Sequence, residues 1–429
     1  TGDGQNNRTV NGLSFQPDWL WLKARSASGD HGLYDSRRGV QKRLKSNSTD
    51  AEADVPIGSF DNDGFTFATE MYYNSNTGTY VAWNWNAGDT DSATYTVKVV
   101  SDSGNKYRFN DFGTSAVTLD LAEGGTYTFD GSDSSMSSHP FVIGTAANGS
   151  EYSTGVTYQL DGASVTYSQY TSGYSSATTR KLIITVPASA PQLYYWCSIH
   201  SGMGGAINTN STLGSSNFDG SVQTTVKANP TAGFSIISFT SQSGAFSNGH
   251  GLGVAPELII SKSRTTTGGP WYTFTTAIDG GLDYLSLNAT SAAAAAEGFG
   301  MAVPTSTVVN NHSAFVYTSG SVIEYCFSSV AGYSKVGSYT GNGSSDGTFV
   351  FTGFRPAWVM VKRTDTTNDW PISDNKRSPF NLVDEAVYAD LSNSESTVNR
   401  YDFLSNGFKI RNNLNESNAS GGTYIYLAF

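Results

Sequence analysis

Three stretches of this chain share one pattern. They read Gly12-Leu-Ser-Phe-Gln-Pro17-Asp-Trp19-Leu-Trp-Leu-Lys23, Gly251-Leu-Gly-Val-Ala-Pro256-Glu-Leu258-Ile-Ile-Ser-Lys262 and Gly353-Phe-Arg-Pro356-Ala-Trp358-Val-Met-Val-Lys362, with the same Pro-to-Lys spacing each time. A repeat constrains the fold more firmly than local propensity, because every copy must build the same unit. Downstream of each, a Leu-rich segment ending in Asn47, Asn288 or Asn393 leads to Asp63-Gly64-Phe65, Glu297-Gly298-Phe299 or Asn406-Gly407-Phe408, which read as a turn followed by a strand. Each unit closes on an aromatic β segment, at 80–85, 322–327 and 424–429. Strand alternation puts Trp19 and Trp21 on one face, as it does Leu258 and Ile260, and Trp358 and Met360, so these residues are expected in sandwich cores. Trp271 and Trp370 lie nearer loops and are the aromatic candidates for ligand binding.

Composition agrees with many short strands joined by tight turns: 46 Gly against 25 Lys plus Arg, with 24 Tyr and 23 Phe in 429 residues. The expected fold class is all-β, with scarce helix: three jelly-roll-like β-sandwich repeats at 1–92, 210–332 (including a return linker at 210–230) and 333–429, plus a different β-sandwich at 93–209. Charged residues make up 14% and the formal net charge is −11, which argues against nucleic-acid binding through a broad basic face. The most alanine-rich stretch, 292–296, stops at Glu297, so no apolar run approaches the ~18 residues of a membrane-spanning helix.

No His-Glu-x-x-His helix or Walker loop is present, and Asp35, Asp63, Asp374 and Glu385 are too scattered to nominate an acid/base pair, so no enzyme is expected. Asp35-Ser-Arg37-Arg38 and Asp374-Asn-Lys376-Arg377 read as structural turns with local ion pairs. His31, His250 and His312 sit in Gly- or Asn-rich loops and are expected to be solvated, and Cys326 is expected to be a small buried thiol.

The segment 93–209 matches none of the repeat pattern. It carries Ser138-His139-Pro140-Phe141 and, after the β run Gln192-Leu-Tyr-Tyr-Trp196, the sequence Cys197-Ser-Ile-His200-Ser-Gly-Met203-Gly-Gly205. A thiolate, two imidazoles and a thioether are the donors of a His2Cys copper site with a weak axial Met. A strand delivers the thiolate, and Gly202, Gly204 and Gly205 let the following loop turn back toward it. The chain has only two Cys, five His and five Met, so this clustering at ligand spacing is improbable by accident. The segment resembles the cupredoxins, whose C-terminal ligand loop carries Cys, His and Met in this order. The resemblance implies copper held by His139, Cys197 and His200 in a plane, with Met203 axial. It departs from the family at Pro140, where cupredoxins commonly place an Asn that ties the two ligand loops together.

The repeats together with such an insert resemble virion structural proteins of marine tailed phages, with concanavalin-like or jelly-roll modules. That resemblance implies a tail fibre, spike or capsid appendage at the virion surface or otherwise extracellular, contacting host-surface glycans or other virion proteins, and assembled as a homo-oligomer. The alternatives are a secreted copper electron-transfer protein and a bacterial extracellular glycan-binding protein. A further expectation concerns the first repeat. Thr340-Gly-Asn-Gly343 follows a strand at 334–339 in the third repeat, and Thr240 follows one at 234–239 in the second, whereas Thr1-Gly-Asp-Gly4 stands at the same distance before its proline. The opening strand of the first repeat is therefore expected from further segments of a longer product or from another chain by β-augmentation.

Overall fold

The computed structural model describes residues 1–68, 72–88, 91–210 and 214–429. It is all-β: among the described residues the α-helices are Tyr167–Gly173 and Ser313–Val316, and the rest of the regular structure is strand apart from two short 3-10 turns. The chain divides into two compact units, Gly88–Lys227 and the combination of Thr1–Ala87 with Ala228–Phe429, so all three repeats fall in one unit and the insert forms the other.

Each repeat is built on its Pro-to-Lys strand: Trp19–Ala24, Leu258–Ser263 or Trp358–Arg363. This strand pairs antiparallel with the closing strand (Tyr80–Trp85, Ser321–Phe327 or Thr423–Ala428) on one side and with Gly32–Asp35, Trp271–Thr275 or Pro371–Asp374 on the other. In the second and third repeats an opening strand, Phe234–Thr240 or Lys335–Thr340, covers the far edge of the closing strand. In the first repeat the described partner of Tyr80–Trp85 is Trp19–Ala24 alone. The turns after the opening strand nevertheless match. Gly341 N–H and Gly343 N–H donate to Gly422 and Asn418, and Gly2 N–H and Gly4 N–H donate to Gly78 and Asn74 in the same manner.

The alternation works on both faces. Leu20 and Leu22 join Phe65, Phe67 and Ile57 in the interior of the first sandwich, and Val359 and Val361 join Phe403, Phe408 and Tyr424 in that of the third. The opposite faces, with Trp19, Trp21, Leu258, Ile260, Trp358 and Met360, pool into one further core shared by all three repeats. Hence the tryptophans are buried as expected, but they fill the space between sandwiches rather than the interior of one. Trp19 lies 4.3 Å from Tyr325 and 4.5 Å from Trp85, and Trp85 lies 5.8 Å from Trp358 (ring centroids), so aromatic rings of all three repeats meet.

The seams between repeats are cyclic. Lys23 Nζ donates to Ser392 of the third repeat (3.3 Å), Lys262 to Thr49 of the first (3.2 Å), and Lys362 to Thr290 of the second (3.0 Å). Backbone bonds follow the same circuit: Glu52 N–H to Arg264, Ala293 N–H to Thr364, and Glu395 N–H to Arg25. The three repeats thus pack with approximate threefold symmetry within one chain. Each buried ammonium is satisfied by carbonyl oxygens, and burial pushes all three lysines down to about 8.

The symmetry explains several departures from expectation. His31 is fully buried, because it occupies the seam position held by Trp271 and Trp370 in the other repeats. Trp21 Nε1 donates to its Nδ1 (2.7 Å), and its Nε2 donates to the carbonyls of Tyr388 (2.8 Å) and Leu391 (3.2 Å). His250 is also buried, its ring bonded to Thr305 O and Leu252 N–H, whereas His312 caps the short helix at Ser313–Val316. Glu297–Phe299 is a 3-10 turn rather than the start of a strand, since Gly300 leaves it at φ +74, and the equivalent strand is Val308–His312. Asp390, not Asn393, stands at the position of Asn47 and Asn288: all three accept from the backbone N–H at position 31, 271 or 370. The Asp35–Arg38 and Asp374–Arg377 turns are buried ion pairs, and Cys326 is buried as expected.

The insert is a two-layer sandwich. One sheet runs Asn105–Phe109, Ser92–Ser101, Thr126–Asp130, Arg180–Thr185, Val156–Leu160, Ala163–Val165, and the other Leu119–Ala122, Gly205–Asn210, Leu193–Cys197, Phe141–Gly144. The stretch expected as a return linker instead contributes a hairpin, Ser215–Asn217 with Thr224–Asn229. Ser216 O accepts from the Tyr95 hydroxyl (2.8 Å), and Phe218 enters the core, which holds the segment on the sandwich.

Two seam residues titrate in opposite directions. Burial, assisted by the Lys23 charge, lowers His31 to about 3. Unfolded, it titrates near 6.5, so in the window between these values the unfolded chain binds a proton that the folded chain refuses, and stability falls as pH falls. The loss amounts to about 2 kcal/mol between neutrality and pH 5. His31→Gln keeps an acceptor for Trp21 and a donor for Tyr388, and is expected to flatten this dependence in urea titrations at pH 7 and 5. Asp390 Oδ2 is buried without a donor, and burial, followed by the nearby Asp369 charge, raises its carboxyl to about 7. Its folded pKa is raised, so stability falls as pH rises from about 4 through 7. Asp390→Asn, which restores the residue of the other two repeats, is expected to raise stability by roughly 1–3 kcal/mol at pH 8 and by less at pH 5. An unchanged melting temperature at pH 8 would contradict this assignment.

Candidate metal centre

Cys197 ends the strand Leu193–Cys197, whose antiparallel register with Phe141–Gly144 sets Cys197 opposite Phe141. That register brings His139, two residues before Phe141, to the same end of the sheet. Its backbone is fixed by two bonds: His139 N–H donates to Met136 O (2.9 Å), and its carbonyl accepts from the Tyr107 hydroxyl (3.0 Å). The chain then leaves Cys197 through the loop holding His200. Gly202 takes φ +74, and a Cβ on Gly204 would collide with the Tyr195 carbonyl, so only glycine lets the loop turn this tightly against its own strand. Lys106 Nζ donates to the Gly202 carbonyl and holds the turn from outside.

The imidazoles converge on the thiol. His139 Nδ1 lies 3.9 Å and His200 Nδ1 3.7 Å from Cys197 Sγ, and the donor atoms of the three residues all fall within 4.8 Å of one another. A metal bonded to sulfur at about 2.3 Å and to imidazole nitrogen at about 2.0–2.1 Å imposes S···N separations of roughly 3.5–3.8 Å for tetrahedral to trigonal angles. The His200 separation falls within that range and the His139 separation just beyond it. His139 and Cys197 are buried and His200 is exposed, so one edge of the cluster faces solvent. Burial, followed by the neighbouring His200, lowers the His139 pKa, which favours the neutral imidazole a metal needs. Met203 is buried in the same core at the end of the loop, its carbonyl accepting from Tyr107 N–H (3.0 Å).

Pro140 removes the Asn side chain that could tie the ligand loops, but the loops are tied through the backbone: Ser198 N–H donates to the Pro140 carbonyl (3.1 Å). Tyr107, Lys106 and Ser198 were not singled out in the sequence. Tyr107 sits in an ordinary alternating strand, and the other two act on or through main-chain groups, so residue type carries no signal for them. Trp271 and Trp370, the aromatic ligand candidates, are 0% and 1% exposed. Their indoles donate to the carbonyls of Lys45 (2.7 Å) and Ser286 (3.0 Å) across the seams, which leaves neither ring a face for a sugar.

No curated protein matches the chain. A family model described as a domain of unknown function (DUF7483) matches residues 1–118 and 206–429. The unmatched stretch, 119–205, holds His139, Cys197, His200 and Met203. The match spans most of the chain, and on that ground the protein belongs to the DUF7483 family, with its candidate metal centre in a segment that the family pattern skips.

Proposed function

We propose that this chain is an extracellular virion structural or adhesive protein, a tail fibre, spike or capsid appendage, whose inserted sandwich binds copper through His139, Cys197 and His200 with Met203 as the weak fourth donor. The observation that carries the metal reading is the convergence of two imidazole Nδ1 atoms on one buried thiol, at separations close to those a single ion would impose. The donor set favours copper, because thiolate and thioether are soft ligands and imidazole suits both oxidation states. When bound, copper supplies a one-electron couple and adds its binding free energy to the stability of the insert. The residues do the rest: Tyr107 and Ser198 hold the two loops at fixed separation, the core around Met203 keeps water from the thiol, and His200 keeps one edge accessible.

The scaffold part of the proposal rests on the repeats. Three sandwiches locked around one apolar core form a rigid body suited to bearing load, and their exposed loops are rich in hydroxyls and amides suited to glycans or to other virion proteins. Direct detection of the protein by mass spectrometry in purified virions supports this placement, and its recovery only from host secretions would favour a free-standing secreted protein instead.

The copper assignment predicts that the full chain takes up close to one Cu(II) per molecule in equilibrium dialysis and develops an intense visible thiolate-to-copper absorption. Cys197→Ser is expected to abolish the band and weaken copper binding at least tenfold, while Met203→Leu shifts the band and the reduction potential with a smaller loss of affinity. Undiminished copper binding by Cys197→Ser would rule out this site.

A further inference from the structure

The first repeat carries an open groove of about 690 Å³ that its sister repeats do not share in chemistry. Its walls are the turn at 25–31, the strand Lys42–Arg43 and the segment 72–80, with Ser392 at one end. The walls are fixed from behind. The Tyr73 hydroxyl donates to the Asp30 carbonyl (3.3 Å), and the Tyr80 hydroxyl accepts from Ser75 N–H (3.0 Å). Tyr72, in contrast, is 75% exposed, with its ring beside the Arg43 guanidinium at 5.7 Å from ring centroid to Cζ.

Charge is distributed unevenly in this groove. Lys45 is paired to Asp30 and Asp50, both at 3.0 Å. Arg43 makes no direct ion pair with a carboxylate among the described residues, although its charge acts on Asp30 and its side chain bonds the Tyr73 hydroxyl, and its Nε is buried with no acceptor. A buried guanidinium N–H without an acceptor is costly, and a planar fork of donors is the group that matches a carboxylate. The scaffold does not require it: strand register sets Arg43 opposite Ala53, and the corresponding pairs are Tyr284 with Ala294 and Ala386 with Ser396. The cation is peculiar to this copy of the repeat.

We propose that this groove is a carbohydrate subsite for an acidic sugar, with Arg43 pairing the sugar carboxylate and Tyr72 stacking on the pyranose ring. Ser26, Ser28 and Ser75 supply hydroxyls along the same walls, in reach of the sugar's own, and the mix of one charged fork, one aromatic platform and several small polar groups is that of a site which orients a polar ring. The assignment rests on the adhesive reading above and gives it a ligand class and a location.

The test is calorimetric titration of the full chain with a galacturonic acid hexamer and, in parallel, with maltohexaose. Binding of the acidic oligomer alone, weakening as salt rises and falling at least tenfold in Arg43→Gln and in Tyr72→Ala, is the expected result. Tyr333→Ala, an exposed tyrosine outside the groove, serves as the control that leaves affinity unchanged, and melting curves establish that each variant is folded. Equal binding of both oligomers, or unchanged affinity in both groove variants, overturns the subsite. A glycan array read with the wild-type chain and the same variants separates the two claims. Array binding that ignores Arg43 and Tyr72 removes the groove and leaves adhesion standing. No binding to any glycan removes both.

Discussion

The three Pro-to-Lys strands are buried on both faces, and the rest of the repeat unit follows from that constraint. A strand in an ordinary sandwich has one apolar face and one solvated face. Here the even positions of the first strand enter its own sandwich and the odd positions enter a core common to all three repeats. No repeat can bury Trp19, Leu258 or Trp358 without the other two, so the unit is expected to fold and melt as one body. The lysine that ends each strand is the polar counterpart of this arrangement. It cannot reach water, and it is retained because carbonyls of two repeats receive its protons.

The circuit of seams also explains why otherwise similar repeats differ in chemistry. Arg38 and Arg264 share Glu52, and Arg25 and Arg377 share Glu395, whereas the third seam has Ala293 at the equivalent place. Breaking such a buried charge cluster is expensive although forming it adds little stability, so the charged seams select the order of packing more than they strengthen it. His31 in place of a tryptophan and Asp390 in place of an asparagine tune two seams to pH without changing their geometry.

Much of this was legible in the sequence. The Pro-to-Lys pattern located the three central strands, and the Cys197-to-His200 spacing pointed to the cluster of thiol and imidazoles that the structure brings together. Burial of the second strand face was not legible: Trp19, Trp21 and Trp358 announce a core, but alternation cannot say whether that core lies within a sandwich or between three of them. His31, Trp271 and Trp370 were misplaced for the same reason. They lie next to loops in the chain, and only the seams between repeats, made largely by backbone carbonyls, enclose them. The hairpin at Ser215–Asn217 and Thr224–Asn229 was obscured by a composition of Ser, Thr and Asn that suits linkers and edge strands equally.

The His139, Cys197 and His200 cluster, the loop glycines and the bonds that hold them all lie within Gly88–Lys227. These three residues and Met203 fall outside the family match, although the match takes in Ser92–Ser101 and Asn105–Phe109 of the same sandwich. The most direct measurement of the central claim is X-ray absorption at the copper edge on the copper-loaded full chain. On that claim, one sulfur and two imidazole nitrogens bound directly to the metal are expected, with the sulfur lost in Cys197→Ser. A spectrum with only oxygen and nitrogen neighbours in the wild-type chain would contradict it.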